Sequence, residues 1–297
     1  MWREAAAVTI GAGLLCLARS QYERGALAVE TVEIVTDKVL RDRTLVFLSD
    51  LHNKEFGKGN AELLQAIDSV RPDAVLSGGD MMIAKGNADT RVPLSLFSSL
   101  SSRYPVYCGN GNHENRMTWE RETYGRQYEV YKKQLTDMGV IYLEDESALL
   151  ECDIRITALD LDECFYRKAL LQRKEPMEQG YLEKKLGAGP SGQGPIGEPF
   201  QILLAHSPLY FKEYADWGAD LTLSGHFHGG TIRLPWLGGV MTPQYQFFLP
   251  VCAGTFYIGE KAMVVSRGLG THSINIRLNN RPQLVVLKVK RRALEKA

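Results

Sequence analysis

Short apolar runs alternate with amphipathic segments along the first half of the chain. Continuous apolar runs are typical of buried strands, and apolar residues every three or four positions are typical of helices packed on one side. The predicted strands are 32–39, 44–49, 74–77 and 105–108, and the predicted helices are 60–71, 92–102 and 122–138. This alternation predicts a parallel sheet built from strand–helix–strand units.

The pattern changes after residue 140. A hairpin is predicted at 147–150 and 154–159, followed by a charged helical segment and a surface loop rich in Gly and Pro, at 163–186 and 187–199. Buried strands are predicted at 201–205 and 221–224, with a helix at 210–217 between them. The chain is therefore expected to be an α/β protein with two sheets, each covered by helices.

Composition narrows the function classes. The chain has 297 residues, and its 35 basic and 35 acidic residues give a formal net charge of zero. Nucleic-acid-binding proteins usually have a basic surface, so no nucleic-acid partner is expected. The five cysteines show no CxxC spacing, which argues against a zinc cluster or a disulfide framework.

The N-terminus differs from the rest of the chain, because residues 5–18 form a run without charges. The run is shorter than a typical membrane-spanning helix and fits a signal-peptide core or a short anchor better. We therefore predict a hydrophobic leader or anchor at 1–28 and a separate folded domain at 29–297. Membrane association through this segment is expected. Arginines flank the run on both sides, so they do not determine on which side of the membrane the rest of the chain lies. The alternative is a soluble helix packed on the domain.

Polar motifs follow five of the apolar runs. They are Asp50-Leu51-His52, Gly79-Asp80, Gly111-Asn112-His113-Glu114, Ala205-His206 and Gly225-His226-Phe227-His228. Ligands in open α/β sheets bind beyond the carboxyl ends of strands, where each motif is expected to lie. Together the motifs offer more donors than one metal ion needs, and they suit two ions that share a bridging carboxylate. Phosphoester hydrolysis at a two-metal site is the leading interpretation.

The order of these motifs resembles that of the calcineurin-like metallophosphoesterases over roughly residues 44–270. The segments GHFHGGTIRLP after Ser224 and SRGLG at 266–270 are similar to the bacterial membrane-anchored branch that includes YkuE and YaeI. The resemblance implies the metallo-dependent phosphatase fold, a four-layer α-β-β-α sandwich of two mixed sheets flanked by helices.

The resemblance also implies roles for individual residues. One ion would be held by Asp50, His52, Asp80 and His228, and the other by Asp80, Asn112, His206 and His226. A hydroxide bridging the ions would attack phosphorus, and His113 would stay unligated, face the substrate and protonate the leaving group. The mixed donors suit Mn, Fe or Zn, of which Mn is favoured.

Three further polar residues are placed outside this set of ligands. Glu114 is expected to orient a ligand imidazole. Asp160 is expected to cap a loop or to support the ligands, and Arg267 to contact a phosphate or to form a surface ion pair. The aromatic segment 235–250 is interpreted as core packing or as an apolar rim facing a membrane or a lipid-like substrate.

The expected function is that of a phosphodiesterase or phosphatase acting on a phosphoester, which the N-terminus suggests is lipid-linked. A pyrophosphatase acting on a sugar-nucleotide lipid is an alternative that needs the same site with different walls. A non-catalytic scaffold on the same fold is the alternative from a different class. Loss of ligands would mark such a scaffold, and every ligand of the motif is present.

Overall fold

The structure is a computed structural model that describes residues 1–167, 174–190, 197–242, 246–271 and 275–293. The helices are α1 (Trp2–Gly25), α2 (Ala61–Val70), α3 (Arg91–Ser101), α4 (Asn112–Trp119), α5 (Arg121–Tyr124), α6 (Gln127–Asp137), α7 (Tyr181–Leu186) and α8 (Phe211–Trp217). Short 3-10 turns occur at Lys58–Asn60, Glu163–Tyr166, Pro208–Tyr210 and Pro250–Cys252.

The strands are mostly short and fall into two large sheets and two small ribbons. They are β1 (Ala28–Thr36), β2 (Arg43–Leu48), β3 (Ala74–Ser77), β4 (Ala84–Lys85), β5 (Asn87–Ala88), β6 (Val106–Cys108), β7 (Ile141–Tyr142), β8 (Ser147–Leu150), β9 (Ile154–Leu159), β10 (Phe200–Ala205), β11 (Leu221–Ser224), β12 (Arg233–Leu234), β13 (Gly238–Gly239), β14 (Gly254–Ile258), β15 (Lys261–Val265) and β16 (Gln283–Arg291).

Both large sheets are mixed. The first has the order β1-β16-β2-β3-β6-β7 and is parallel except where β16 pairs with β2. The second has the order β14-β15-β11-β10-β9-β8, with a parallel centre and an antiparallel pair at each edge. The alternation in the first half predicted a parallel sheet. The first sheet departs from this prediction because β16, from the end of the chain, inserts antiparallel to β2.

Alternating side chains place the two sheets face to face. Leu45 and Phe47 of β2 share one apolar core with Ile202 and Leu204 of β10. Val46 and Leu48 point to the opposite face, where they pack with α2, α3 and α6. Successive strand residues alternate between faces, so one strand supplies both layers. The outer face of the second sheet packs on α7 and α8, which completes the expected four-layer α-β-β-α sandwich.

Two predicted helices differ from the structure. The predicted helix 122–138 is divided into α5 and α6, because Gly125 has a positive φ of 55° that ends the first helix. The predicted helix 163–186 is wrong in its described part, which holds a 3-10 turn, an irregular stretch and the short α7. Pro176 lacks a backbone donor and Gly180 has a φ of 82°, and both oppose a continuous helix. Residues 168–173 of that prediction, and 191–196 of the predicted loop, lie outside the described residues.

The N-terminal segment forms α1, whose last turns pack on the rest of the chain. Ser20 and Glu23 are buried, and they accept hydrogen bonds from the backbone N–H groups of Arg277 and Asn280 at 3.0 and 2.9 Å. Among the described residues, no helix has both the length and the apolarity needed to cross a membrane. The division at residue 28 stays a prediction.

Candidate active site

The five motifs meet at the carboxyl edges of the two sheets. Asp50 follows β2, Asp80 follows β3 and Asn112 begins α4 after β6, while His206 follows β10 and the two histidines of the last motif follow β11. Three groups of buried side chains have ligand atoms within 4.8 Å of one another: Asp50 with His52 and His228, Asp80 with His206 and His226, and His52 with Asp80 and His113. The first group lacks Asp80 of its predicted ligand set and the second lacks Asn112, while Asp80 approaches His52 of the first set at 3.7 Å.

The backbone at the site is held in an uncommon conformation. Positive φ angles of 47° to 70° occur at Asp50, His52, Asp80, His226 and His228. Such angles are uncommon for residues other than glycine, and each typically costs about 1–3 kcal/mol. These φ angles turn the backbone sharply after each strand, which brings the side chains toward one centre.

Two glycines allow the loops to approach the carboxylates closely. A Cβ at Gly111 would lie 2.4 Å from Asp80 Oδ1, and a Cβ at Gly225 would lie 2.2 Å from Asp50 Oδ2. Both distances are too short for any side chain. The glycines in these two motifs are therefore required by the position of the carboxylates.

Three of the imidazoles share one orientation. In His52, His206 and His228, the Nδ1–H donates to a backbone carbonyl oxygen. The acceptors are Met82, Gly78 and Gly270, at 3.3, 2.7 and 3.0 Å respectively. In the neutral ring, Nε2 is then the unprotonated nitrogen, which is the form that binds metal ions.

Two further observations show that the donors fit divalent cations. His52 Nε2 lies 3.1 Å from His228 Nε2. Two unprotonated nitrogens repel each other at this distance unless a proton or a cation lies between them. Burial, assisted by Arg277, lowers the pKa of His228 to about 3, which disfavours the proton. The carboxamide oxygen of Asn112 is buried without a hydrogen-bond partner among the described residues, and a bound cation would satisfy it.

The two aspartates differ in their electrostatic surroundings. His206 Nε2 lies 3.2 Å from Asp80 Oδ2, and His228 Nε2 lies 3.4 Å from Asp50 Oδ1. Burial opposes ionisation of Asp80, but a protonated His206 holds the pKa of Asp80 well below the ordinary value, and Asp80 in turn raises the pKa of His206 to about 9 despite the burial of that ring. Burial raises the pKa of Asp50, although Ser49 Oγ donates to it at 2.6 Å. Asp80, which contacts both ligand groups, is therefore the more firmly ionised of the two.

His113 has the opposite ring orientation. Its Nδ1 accepts a hydrogen bond from the Ala84 backbone N–H at 2.9 Å, so the neutral ring carries its proton on Nε2. Burial lowers the pKa of His113 and favours this neutral form. An Nε2–H group donates hydrogen bonds and does not bind metal, although the ring lies close enough to the cluster to do so. His113 also donates its backbone N–H to Asp80 Oδ1 at 2.7 Å.

Glu114 contacts the backbone, whereas an imidazole partner was expected. Its carboxylate accepts from the N–H groups of Asp80, Met81 and Gly111 at 2.7, 2.9 and 3.0 Å. These bonds join the loops after β3 and β6, and so fix the position of the Asp80 side chain. Burial, with the nearby Asp80 charge, raises the pKa of Glu114 to about 7.

The other two polar residues placed outside the ligand set lie in different settings. Asp160 follows β9 and accepts a hydrogen bond from Asn110 Nδ2 at 2.8 Å, so it supports the loop that carries Asn112. Arg267 forms an ion pair with Glu30, with distances of 2.6 and 3.0 Å, which is the second of its two predicted arrangements. His272, which belongs to none of the motifs, lies outside the described residues.

Sequence reasoning missed Tyr166. Its ring packs edge-on against His226, with centroids 5.3 Å apart, and lies 6.1 Å from His206. The ring therefore walls one side of the second ligand group. Tyr166 lies in the segment interpreted as a charged helix, and no local pattern distinguishes it.

Comparisons with known proteins agree with this geometry. The family described as calcineurin-like phosphoesterase matches residues 43–230, which is well over half of the chain. The chain belongs to the calcineurin-like phosphoesterase family.

Curated relatives align over most of this phosphoesterase. The uncharacterized metallophosphoesterases YkuE and YkoQ of Bacillus subtilis are 26% and 25% identical to it, over 83% and 81% of this chain and 78% and 81% of their own lengths. The phosphodiesterase YaeI of Escherichia coli is 24% identical over 82% of this chain and 81% of its own length. The protein is therefore a metal-dependent phosphoester hydrolase, and its clustered His and Asp residues indicate divalent metal ions.

Proposed function

We propose that this protein hydrolyses a phosphoester with two divalent ions, held by the two predicted ligand sets and bridged by Asp80. The observation that carries the proposal is a difference in ring orientation. The Nδ1 of His113 accepts a hydrogen bond, whereas the Nδ1–H groups of His52, His206 and His228 donate one. Three rings have the metal-binding tautomer, while His113 has a proton on Nε2 beside the same carboxylates.

Each part of the chain has a distinct task in this proposal. When bound, the ions supply charge stabilisation on the phosphoryl oxygens and activate water at neutral pH. The Nε2–H of His113 hydrogen-bonds a phosphoryl or leaving-group oxygen and donates its proton as the ester bond breaks. Glu114 keeps Asp80 in place through the backbone, and Tyr166 shields His226 from water.

The proposed reaction is hydrolysis of a phosphodiester or a phosphomonoester, with Mn as the favoured metal. The name of YaeI supports the diester. Cleavage of a diphosphate in a sugar-nucleotide lipid is the alternative, because the same donors and the same proton source would serve it.

The test uses purified full-length protein loaded separately with Mn, Fe or Zn. Hydrolysis of bis(p-nitrophenyl) phosphate is compared with that of p-nitrophenyl phosphate, and bound metal is counted by elemental analysis. Two ions per chain with metal-dependent turnover of either ester supports the proposal. A folded, metal-loaded protein that turns over neither ester would favour the scaffold.

We further propose that the protein associates with a membrane through α1. Val8, Leu14 and Leu15 of this helix are exposed, at 72, 62 and 73%. A helix with large exposed apolar side chains gains free energy by inserting them into a lipid interface. Co-sedimentation of full-length protein with vesicles should be lost in the variant Leu14→Glu/Leu15→Glu. Equal binding by the variant would contradict this route.

The segment 235–250 offers a second apolar surface in its described part. Trp236, Leu237, Phe247 and Phe248 are all exposed, which favours the lipid-facing rim over core packing. Residues 243–245 lie outside the described residues. A Trp236→Ser/Phe247→Ser variant that binds vesicles as well as the wild type would contradict the rim.

A further inference from the structure

A cavity of about 340 Å³ lies beside the ligand groups, between the end of α1 and the loop after β15. His52 forms part of its wall and also contacts His228 in the metal-binding cluster. A molecule bound at the cluster can therefore extend past His52 into this cavity, whose size is at the lower end for ligand pockets.

The described wall of the cavity is basic. It includes Arg24, Lys54 and Arg277, and none of its described residues is an aspartate or a glutamate. A neutral chain has as many acidic as basic side chains to place, so three cations without a carboxylate around one cavity are unusual. This composition favours an anion as the occupant.

The cations have few partners of their own. Arg24 donates to the neutral side chain of Gln21, and its Nε is buried without a hydrogen-bond partner among the described residues. Lys54 stands over the ring of Phe56, 5.5 Å from the ring centroid, and no described carboxylate pairs with it. Both side chains are partly buried, which strengthens their interaction with an anion relative to a fully exposed position.

Arg277 provides a fixed positive charge behind these two. It is 1% exposed, and its guanidinium donates to backbone carbonyls such as that of Gly270, at 2.7 Å. No described carboxylate lies within ion-pair distance of it, and its Nε is buried without a described partner. The Asp50 and Glu23 carboxylates act on this charge only from beyond that distance, so an anion in the adjoining cavity would further offset the cost of burying it.

We propose that this cavity is a subsite for a second, non-scissile phosphoryl group of the substrate, bound by Arg24 and Lys54. A phosphoryl group carries up to two negative charges, whereas a carboxylate carries one. Three neighbouring cations therefore favour a phosphoryl group as the occupant. The inference rests on the proposed function and narrows its substrates to phosphoesters with a second phosphate. It also makes the end of α1 part of the substrate site.

The test compares two chromogenic diesters, propyl p-nitrophenyl phosphate and its 3-phosphopropyl analogue, on metal-loaded full-length protein. The wild type should prefer the analogue in kcat/KM, mainly through a lower KM. In the variant Arg24→Gln/Lys54→Gln this preference should fall about 10- to 100-fold, as expected for the loss of charged hydrogen bonds. The matched control Lys58→Gln removes an exposed lysine outside the cavity wall and should keep the preference.

A wild type without preference, or a double variant that keeps it while folded, would overturn the subsite. Calorimetric binding of methylenebisphosphonate against methylphosphonate provides a readout without turnover. If no ester is hydrolysed, the proposed function fails, while tighter bisphosphonate binding that the double variant loses still supports the subsite. Equal binding of the two phosphonates overturns it.

Two sources of the second phosphate are distinguished by a further pair of substrates. Vesicles that contain phosphatidylglycerophosphate present it on a lipid, and the 3-phosphopropyl diester presents it in solution. A larger loss of kcat/KM in the Arg24→Gln/Lys54→Gln variant on the vesicle substrate than on the soluble diester supports a lipid source. The reverse order supports a soluble source.

Discussion

The two sheets contribute different chemistry to the site. The first sheet supplies all the predicted oxygen ligands, from Asp50, Asp80 and Asn112, whereas the second supplies only imidazoles. Neither sheet alone carries a complete ligand set for either of the two proposed ions. The site therefore forms only when the sheets stack, so metal binding and packing of the central apolar core are coupled.

Hydrogen bonds across the two sheets fix this arrangement. The backbone N–H of His226 donates to both carboxylate oxygens of Asp50, at 3.0 and 3.2 Å. His206 Nδ1–H donates to the carbonyl of Gly78, which precedes Asp80 by two residues. The His206 imidazole and the His226 backbone are thus positioned against the carboxylate loops of the first sheet by the protein itself.

Removing the carboxylate that we propose as the bridge, Asp80 of the first sheet, should have the largest effect. Asp80→Asn keeps the shape but removes the charge that contacts both ligand groups. We expect metal content to fall from two ions per chain to one or none, and turnover to fall roughly 1,000-fold or more. Elemental analysis and ester hydrolysis measure the two effects.

The matched control for this variant is Asp89→Asn, which changes a partly exposed aspartate paired with Arg91. The control should retain both metal and rate. An Asp80→Asn protein with full occupancy and a normal rate would contradict the bridge.

The second prediction separates His113 from the imidazoles of the other sheet. His113→Ala should lower turnover about 100- to 10,000-fold while metal stays bound, because the lost group is a proton donor. His206→Ala should instead lower metal content, since the Nδ1–H bond of that ring to Gly78 leaves its Nε2 to face the cluster. An empty site in the His113 variant would refute the assigned role.

The sequence predicted the strands and their polar ends because both signals are local. An apolar run that ends in Asp-x-His or Gly-Asp is visible without a structure. The ring orientations were not predictable, since the Nδ1 of His113 is set by Ala84, which is 29 residues away in the chain. Helix α4 was missed because its polar residues lack helical periodicity, and its start is fixed by the bond of Glu114 to the Gly111 amide.

The smallest expected effect concerns Asp160, which follows β9 of the second sheet and contacts Asn110 in the loop after β6 of the first sheet. Burial raises the pKa of Asp160 from 3.8 to about 8, while the pKa of Asp80 lies far below its usual value. The folded protein therefore keeps a proton on Asp160 that the unfolded chain loses above about pH 4. The stability from this group is fully present below pH 3.8 and is lost as pH rises through about 8.

Thermal melting from about pH 5 to about pH 9 tests this difference. The wild-type Tm should decline with rising pH, and Asp160→Asn should make the decline shallower, because the amide can still accept from Asn110 but does not ionise. Asp89 has its pKa lowered to about 2 by Arg91, so it is ionised in both states over this range, and Asp89→Asn should leave the slope unchanged. Equal slopes for wild type and Asp160→Asn would mean that Asp160 is ionised in the folded protein. The loop that carries Asn112 would then rest on a charged contact between the sheets.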